Sequence, residues 1–209
     1  MSHQYLMSPI IPCCSSESQK IIVELGMGNG CLLKRLLEAN KNTSQSAINE
    51  KKLMYIGIEV NSLEYNKAKS LLHGFTNVIL INGSFEQLIN DFTDHSIDEI
   101  ISVLPDPDFI DIENQDQWKK FYRMMNRKMS TRGRFRLVTE LIDDLLGPVS
   151  AEVYKIWKQW VINTFEDIGF SLERIIEGSP TEYESDCLGR FKGDPERIRL
   201  ATFDFIKIG

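Results

Sequence analysis

Apolar positions along this chain fall into short dense runs that alternate with longer periodic segments. The runs are "IIVEL" (21–25), "LMYIGIEV" (53–60), "NVILING" (77–83), "IDEIISVL" (97–104), "GRFRLVTE" (133–140), "FSLERIIE" (170–177) and "RLATFDFIKI" (199–208). Runs of this length, bounded by turn residues, predict strands. Between them, leucines 32, 33, 36 and 37 predict a helix over Cys31–Ala39, and further helices are expected up to His73, over Ser84–Asp91 and over about 117–129. The longest spans about 150–168, where apolar positions 153, 156, 157, 160, 161, 164, 165 and 168 keep a 3.6-residue period. Alternating strands and helices predict an α/β fold: a seven-stranded, mostly parallel sheet with helices on both faces. The last two strands have only a loop between them in this reading, which predicts an antiparallel pair at one edge. Residues 1–19 read as a flexible N-terminal arm and 20–209 as a single domain, with Asn40–Lys52 a polar surface loop.

Composition adds limits. At 209 residues the chain is long enough for one large domain with a sizeable core. No apolar run approaches the ~20 residues that span a bilayer, and the N-terminus lacks the basic segment and long apolar stretch of a signal peptide. Cys13, Cys14, Cys31 and Cys187 form no Cys-x-x-Cys pair, which predicts free thiols in a reducing cytosol or nucleus and no metal site.

The candidate chemistry begins at "KIIVELGMGNGCLL" (20–33). Gly26, Gly28 and Gly30 follow a strand and precede a helix, at the end of the sheet where ligands bind in open parallel folds. A dinucleotide calls for Gly-x-Gly-x-x-Gly, so that its pyrophosphate meets the helix N-terminus. Here the spacing is Gly-x-Gly-x-Gly, with Glu24 two residues before it. That pattern resembles the first motif of the class I S-adenosylmethionine-dependent methyltransferases, whose ligand carries an ammonium, a carboxylate, a sulfonium and a ribose. Glu59, ending the second strand, is then the acceptor for ribose hydroxyls, and Asn82 and Ser84 stand where this class holds the adenine edge. The expected cofactor is S-adenosylmethionine.

A narrower resemblance rests on "VELGMGNG", "YIGIEV", "LPDPDF", "VTE" after the fifth strand and "TEYE" (Thr181–Glu184). Together these are similar to the tRNA (guanine-N7-)-methyltransferase family, over residues 20 to 207. The resemblance implies methyl transfer to guanine N7 in tRNA. It places Glu24, Glu59 and Ser84 at cofactor positions, Asp106 at the catalytic aspartate, and Glu140, Thr181 and Glu184 at substrate positions. Guanine N7 already offers a lone pair, so no base must remove a proton, which suits a chain whose histidines (3, 73 and 95) lie outside every motif. Carboxylates could instead accept from guanine N–H groups and favour the developing positive charge.

Charge separates the readings. The net charge of −6 disfavours nucleic acid, yet residues 117–136 hold eight basic residues and no acid, leaving −6 − 8 = −14 on the rest. On the predicted helix, Lys119, Arg123 and Arg127 share one face opposite an apolar stripe at 118, 121, 122, 125 and 129, and Arg132, Arg134 and Arg136 continue the basic run. That face is the expected RNA contact. In contrast, "DFIDIENQDQ" (108–117) has four acids and no base, where the family has a basic segment. Three alternatives stand beside tRNA methylation: the same fold acting on another RNA or a small molecule, a catalytically silent RNA- or protein-binding module, and a nicotinamide dehydrogenase, which the glycine spacing disfavours. A protein partner subunit is compatible with each, and a membrane is not expected.

Overall fold

The computed structural model describes residues 19–43, 52–142, 147–183 and 186–209. Its strands are β1 (Gln19–Leu25), β2 (Lys52–Glu59), β3 (Val78–Asn82), β4 (Ile97–Val103), β5 (Met129–Ile142), β6 (Phe170–Glu177) and β7 (Ile198–Lys207). Its helices are α1 (Cys31–Thr43), α2 (Ser62–Leu71), α3 (Phe85–Leu88), α4 (Gln115–Lys128), α5 (Ala151–Ile168) and α6 (Asp186–Lys192). The strands form one sheet in the order β3-β2-β1-β4-β5-β7-β6. Strand β7 is antiparallel to both β5 and β6, and the other pairs are parallel. The expected mixed α/β sheet and its antiparallel edge pair are therefore present.

Alternation along β1 divides the core in two. Ile21, Val23 and Leu25 share a cluster with Trp118, Tyr122 and Met125 of α4 and Trp157, Val161 and Phe165 of α5. Ile22 joins the opposite cluster with Leu32, Leu33 and Leu37 of α1, Ala68 of α2 and Leu188 of α6. On the first face Phe165 lies 4.8 Å from Tyr122, 5.0 Å from Phe205 and 5.5 Å from Phe135, ring centre to ring centre. Losing that ring would cost about 3–5 kcal/mol. Helix α5 starts at Ser150, whose hydroxyl accepts from Val153 N–H, and stops at Gly169 in a left-handed conformation (φ 107°). Its buried stripe is Tyr154, Trp157, Val161, Thr164, Phe165 and Ile168; Val153 and Ile156 of the periodic pattern are exposed instead.

Four boundaries differ from the sequence pattern. Helix α1 continues to Thr43, into the segment expected to be a loop, and residues 44–51 lie outside the described residues, as does the 1–18 portion of the expected arm. Gln19 already belongs to β1. Strand β5 begins at Met129, not Gly133, because the chain passes through a register shift there rather than a turn. Arg132 takes a left-handed φ of 60°, and a Cβ on Gly133 would stand 2.9 Å from Ser130 O, so the glycine permits the bulge. Finally, the β6–β7 connection is not only a loop. It holds a short 3₁₀ turn at Thr181–Tyr183 and helix α6, whose seven residues are too few to show a periodic signal. Among the described residues no helix is long and apolar enough to cross a membrane.

Candidate functional site

Strand order reverses between β1 and β4, so the chain leaves those two strands in opposite lateral directions and opens a crevice at their carboxyl ends. The loop after β1 folds over the end of β2: Gly26 and Met27 N–H both donate to Ile58 O, at 2.9 and 3.0 Å. Gly26, Gly28 and Gly30 all adopt left-handed φ (68°, 54° and 80°). Their surroundings separate their roles. A Cβ on Gly26 or Gly28 would meet nothing within 4 Å, whereas one on Gly30 would stand 2.9 Å from Ala68 Cβ. The first two glycines face open space; Gly30, expected at the ligand, instead lets α1 pack against α2. Gly57 in mid-β2 is a packing glycine that the sequence reading passed over. A Cβ there would lie 2.2 Å from Met27 Sδ, so its absence seats the loop.

The crevice is a cleft of about 390 Å³ lined by Glu24, Gly26, Met27, Gly28, Asn29, Leu32, Glu64, Lys67, Val103, Leu104, Tyr183 and Arg190. Its size suits a small-molecule ligand. Leu104 leaves β4 with a left-handed φ of 50°, held by its N–H to Val138 O at 2.8 Å. A branched side chain in that conformation is strained, and strain of this kind concentrates at ligand sites.

Glu24 is 3% exposed, and its Oε2 is buried without a hydrogen-bond partner among the described residues. Burial, with the Glu59 carboxylate nearby as a lesser cause, pushes its carboxyl up to about 8. A buried acceptor lacking a donor is a destabilising group unless a ligand supplies one. Glu59 is also buried, and it organises the loop. Its Oε2 accepts from Gly28 N–H at 2.8 Å and its Oε1 from Asn61 N–H at 2.7 Å. Each oxygen retains a lone pair for a ligand hydroxyl. Asn61 in turn caps α2 by accepting from Leu63 and Glu64 N–H.

A charged cluster stands behind the cleft wall. Arg136 forms a two-pronged pair with Asp204, one contact being Nη2 to Oδ2 at 2.9 Å, and its Nη1 donates to Tyr183 Oη at 2.6 Å. Arg174 donates to the same Asp204 Oδ2 at 2.7 and 3.0 Å. Burial alone would raise the Asp204 carboxyl, yet the bonds from both arginines hold it below its ordinary value. Tyr183 is 3% exposed and its hydroxyl is pushed up to about 12, chiefly by burial. The sequence reading placed Arg136 in the basic surface run. It is instead an internal residue that fixes Tyr183.

The remaining expected residues are dispersed. Asp106 is exposed just beyond β4; its Oδ1 accepts from Asp108 N–H at 3.1 Å, which caps the Pro107–Phe109 turn. Asn82 donates to Glu59 O at 2.7 Å and accepts from Ser62 Oγ at 2.9 Å, so its amide ties the ends of β2 and β3 together. Ser84 precedes α3, where its hydroxyl reaches Glu86 at 3.4 Å. Glu140 stands at the far end of β5, with Oε2 buried and unpartnered and its carboxyl raised to about 7 by burial. Thr181 is exposed at the start of the 3₁₀ turn, and Glu184 lies outside the described residues. On α4, Lys119 is half-buried and Arg123 exposed, but Arg127 pairs with Asp94 at 3.3 Å, in the turn leading into the start of β4. Arg127 is thus at the opposite end of the sheet from the cleft. Lys128 is buried against Asp94 at 2.8 Å, and Arg134 pairs with Glu173 at 3.3 Å. The eight-residue basic run therefore does not make one surface patch.

No protein-family model matches the chain. A curated relative, the "Bifunctional methyltransferase" of Rickettsia prowazekii (strain Madrid E), is 25% identical over 133 residues, 60% of this chain and 23% of that protein. The chain thus spans under a quarter of the length of the relative it matches. Among solved structures, the 16S rRNA methyltransferase KamB is similar with a TM-score of 0.64 at 14% identity, covering 91% of this chain and 88% of that one. The [4+2]-cyclase SpnF gives 0.61 at 12% identity, covering 92% and 77%. A geranyl diphosphate methyltransferase in complex with S-adenosylmethionine gives 0.56 at 9% identity, covering 91% and 79%. The chain has the Rossmann-like fold of the class I S-adenosylmethionine-dependent methyltransferases. No name among these matches specifies tRNA or guanine N7.

Proposed function

We propose that this chain binds S-adenosylmethionine in the β1/β4 cleft and transfers its methyl group to guanine N7 in tRNA. The observation that carries the cofactor reading is Glu24: a buried carboxyl with an unpartnered oxygen in the lining of a cleft whose near wall is bare glycine backbone. The donor set fits the ligand. Glu24 would take the ammonium of the methionine moiety, Glu59 the ribose hydroxyls, and Gly26 and Gly28 would let backbone approach. When bound, the cofactor supplies an electrophilic methyl carbon on a sulfonium. The protein's task is then alignment, which alone can supply several kcal/mol. Guanine N7 needs no proton removed, so Asp106 serves as an acceptor for guanine N–H groups, with Oδ1 already fixed by Asp108 and Oδ2 free to point outward.

The substrate assignment rests on the motifs "LPDPDF" and "TEYE" and is supported by the exposure of Asp106 beyond β4. One observation favours a second reading, methylation of a small molecule or another RNA: Lys128 and Arg136 are buried in ion pairs, and the exposed Arg127 and Arg134 each already face a carboxylate, Asp94 and Glu173, which weakens the phosphate footprint. Methyl-labelled cofactor with unmodified tRNA, followed by nucleoside mass spectrometry, tests both. Appearance of 7-methylguanosine supports the proposal. Label turnover into a small-molecule extract and none into RNA supports the second reading.

A further inference from the structure

The cleft presents an acid for an ammonium, and the methionine moiety carries a carboxylate beside that ammonium. A cation in the same lining would give that carboxylate its strongest partner. Two are present, Lys67 of α2 and Arg190 of α6. Lys67 is already neutralised by Glu64 at 2.6 Å, and Glu64 lines the cleft with it. Arg190 is exposed and has no ion-pair partner among the described residues. Its helix is held in place on two sides. Leu188 is fully buried in the cluster with Leu32, Leu33 and Leu37 of α1. The turn before α6 is fixed by Tyr183, which Arg136 grips at 2.6 Å and which lines the same cleft. A guanidinium on such a fixed support recognises a carboxylate through paired N–H donors.

Resting on the cofactor reading, we propose that Arg190 is the anchor for the α-carboxylate of the cofactor, so that Glu24 and Arg190 together select an amino-acid zwitterion. The two interactions then discriminate the methionine moiety from ligands that keep only adenosine.

The test uses calorimetry with two probes on the full chain: S-adenosylhomocysteine, which has the carboxylate, and its decarboxylated analogue, which keeps the ammonium and lacks the carboxylate. Arg190→Gln should weaken S-adenosylhomocysteine by about ten- to a hundredfold and leave the analogue within about twofold, because a charge-assisted bond is lost for one ligand only. Arg190→Lys should recover part of the loss. Equal weakening of both probes in Arg190→Gln would make the residue structural and overturn the proposal. So would unchanged binding of both, including the case in which only tRNA affinity and its salt slope fall, since the anion would then be a phosphate. Failure of the unmutated chain to bind either probe would overturn the cofactor reading itself, an outcome distinct from the others.

Discussion

Binding of the cofactor should expel a proton, and the proton should come from Glu24. In the unliganded fold burial raises this carboxyl from 4.5 to about 8, so at pH 7 about nine in ten molecules hold it neutral, while an ammonium in the cleft favours the carboxylate. At pH 7 the expected release is about 0.9 proton per S-adenosylhomocysteine bound, a pH at which the ligand's amine is mostly charged. The assay is calorimetry in two buffers of different ionisation enthalpy, whose difference in apparent heat gives the proton count. Glu24→Gln is isosteric and cannot titrate, so the release should vanish and affinity should fall about tenfold or more, as a charge-assisted bond becomes a neutral one. The same shift acts on folding. Because the native pKa is raised, the unfolded chain binds fewer protons than the native one between pH 4.5 and about 8. Stability is therefore full below about 4.5 and declines as pH rises through that window, by about 1.4 kcal/mol per pH unit for Glu24's share. Glu24→Gln removes that share, so the variant should be more stable than the parent at pH 8 without ligand, in urea melts. Identical proton release in parent and variant, or none in the parent, would refute the reasoning.

Gly28→Val should abolish cofactor binding by calorimetry, since φ 54° is strained for a β-branched residue and the side chain would enter the space left open at this position. Asp106→Asn should slow single-turnover methylation of tRNA by roughly ten- to a hundredfold, by setting a donor against guanine N–H groups, while cofactor affinity stays constant. Lys119→Glu with Arg123→Glu should weaken tRNA binding and flatten its salt dependence in filter-binding assays, whereas Arg127→Glu should act less on tRNA and more on the fold, because Arg127 is paired with Asp94 far from the cleft. Arg136→Met should destabilise the fold by about 1–3 kcal/mol in denaturant titrations, because it removes the buried one of the two arginines that pair with Asp204 and leaves Arg174 to hold that carboxylate alone.

The sheet was legible because each strand's apolar run is dense enough to declare itself, and Gly26 and Gly28 were legible as a tight turn because the chain takes a left-handed φ at both positions as it leaves β1 into the lining of the cleft. What escaped detection depended on partners distant in sequence. Arg136 reads as one more base in a basic run until Asp204, 68 residues on, arrives beside it through the β5–β7 pairing. Gly30 obeys the glycine pattern but serves Ala68, a contact invisible without the α1–α2 packing. Asn82 lies at a strand end suited to an adenine, yet the structure commits its amide to Glu59 and Val60 carbonyls. Arg190 sits on a helix too short to show periodicity, and only the fold brings it to the glycine loop.

The most direct measurement is a calorimetric titration of the unmutated chain with S-adenosylhomocysteine and, in parallel, with NAD. The expectation is one-site binding of S-adenosylhomocysteine and none of NAD, because the loop keeps the Gly-x-Gly-x-Gly spacing and the unpartnered Glu24 oxygen in the cleft lining calls for an ammonium, which a pyrophosphate does not supply. Equal affinity for NAD, or heat from neither ligand, would contradict the account.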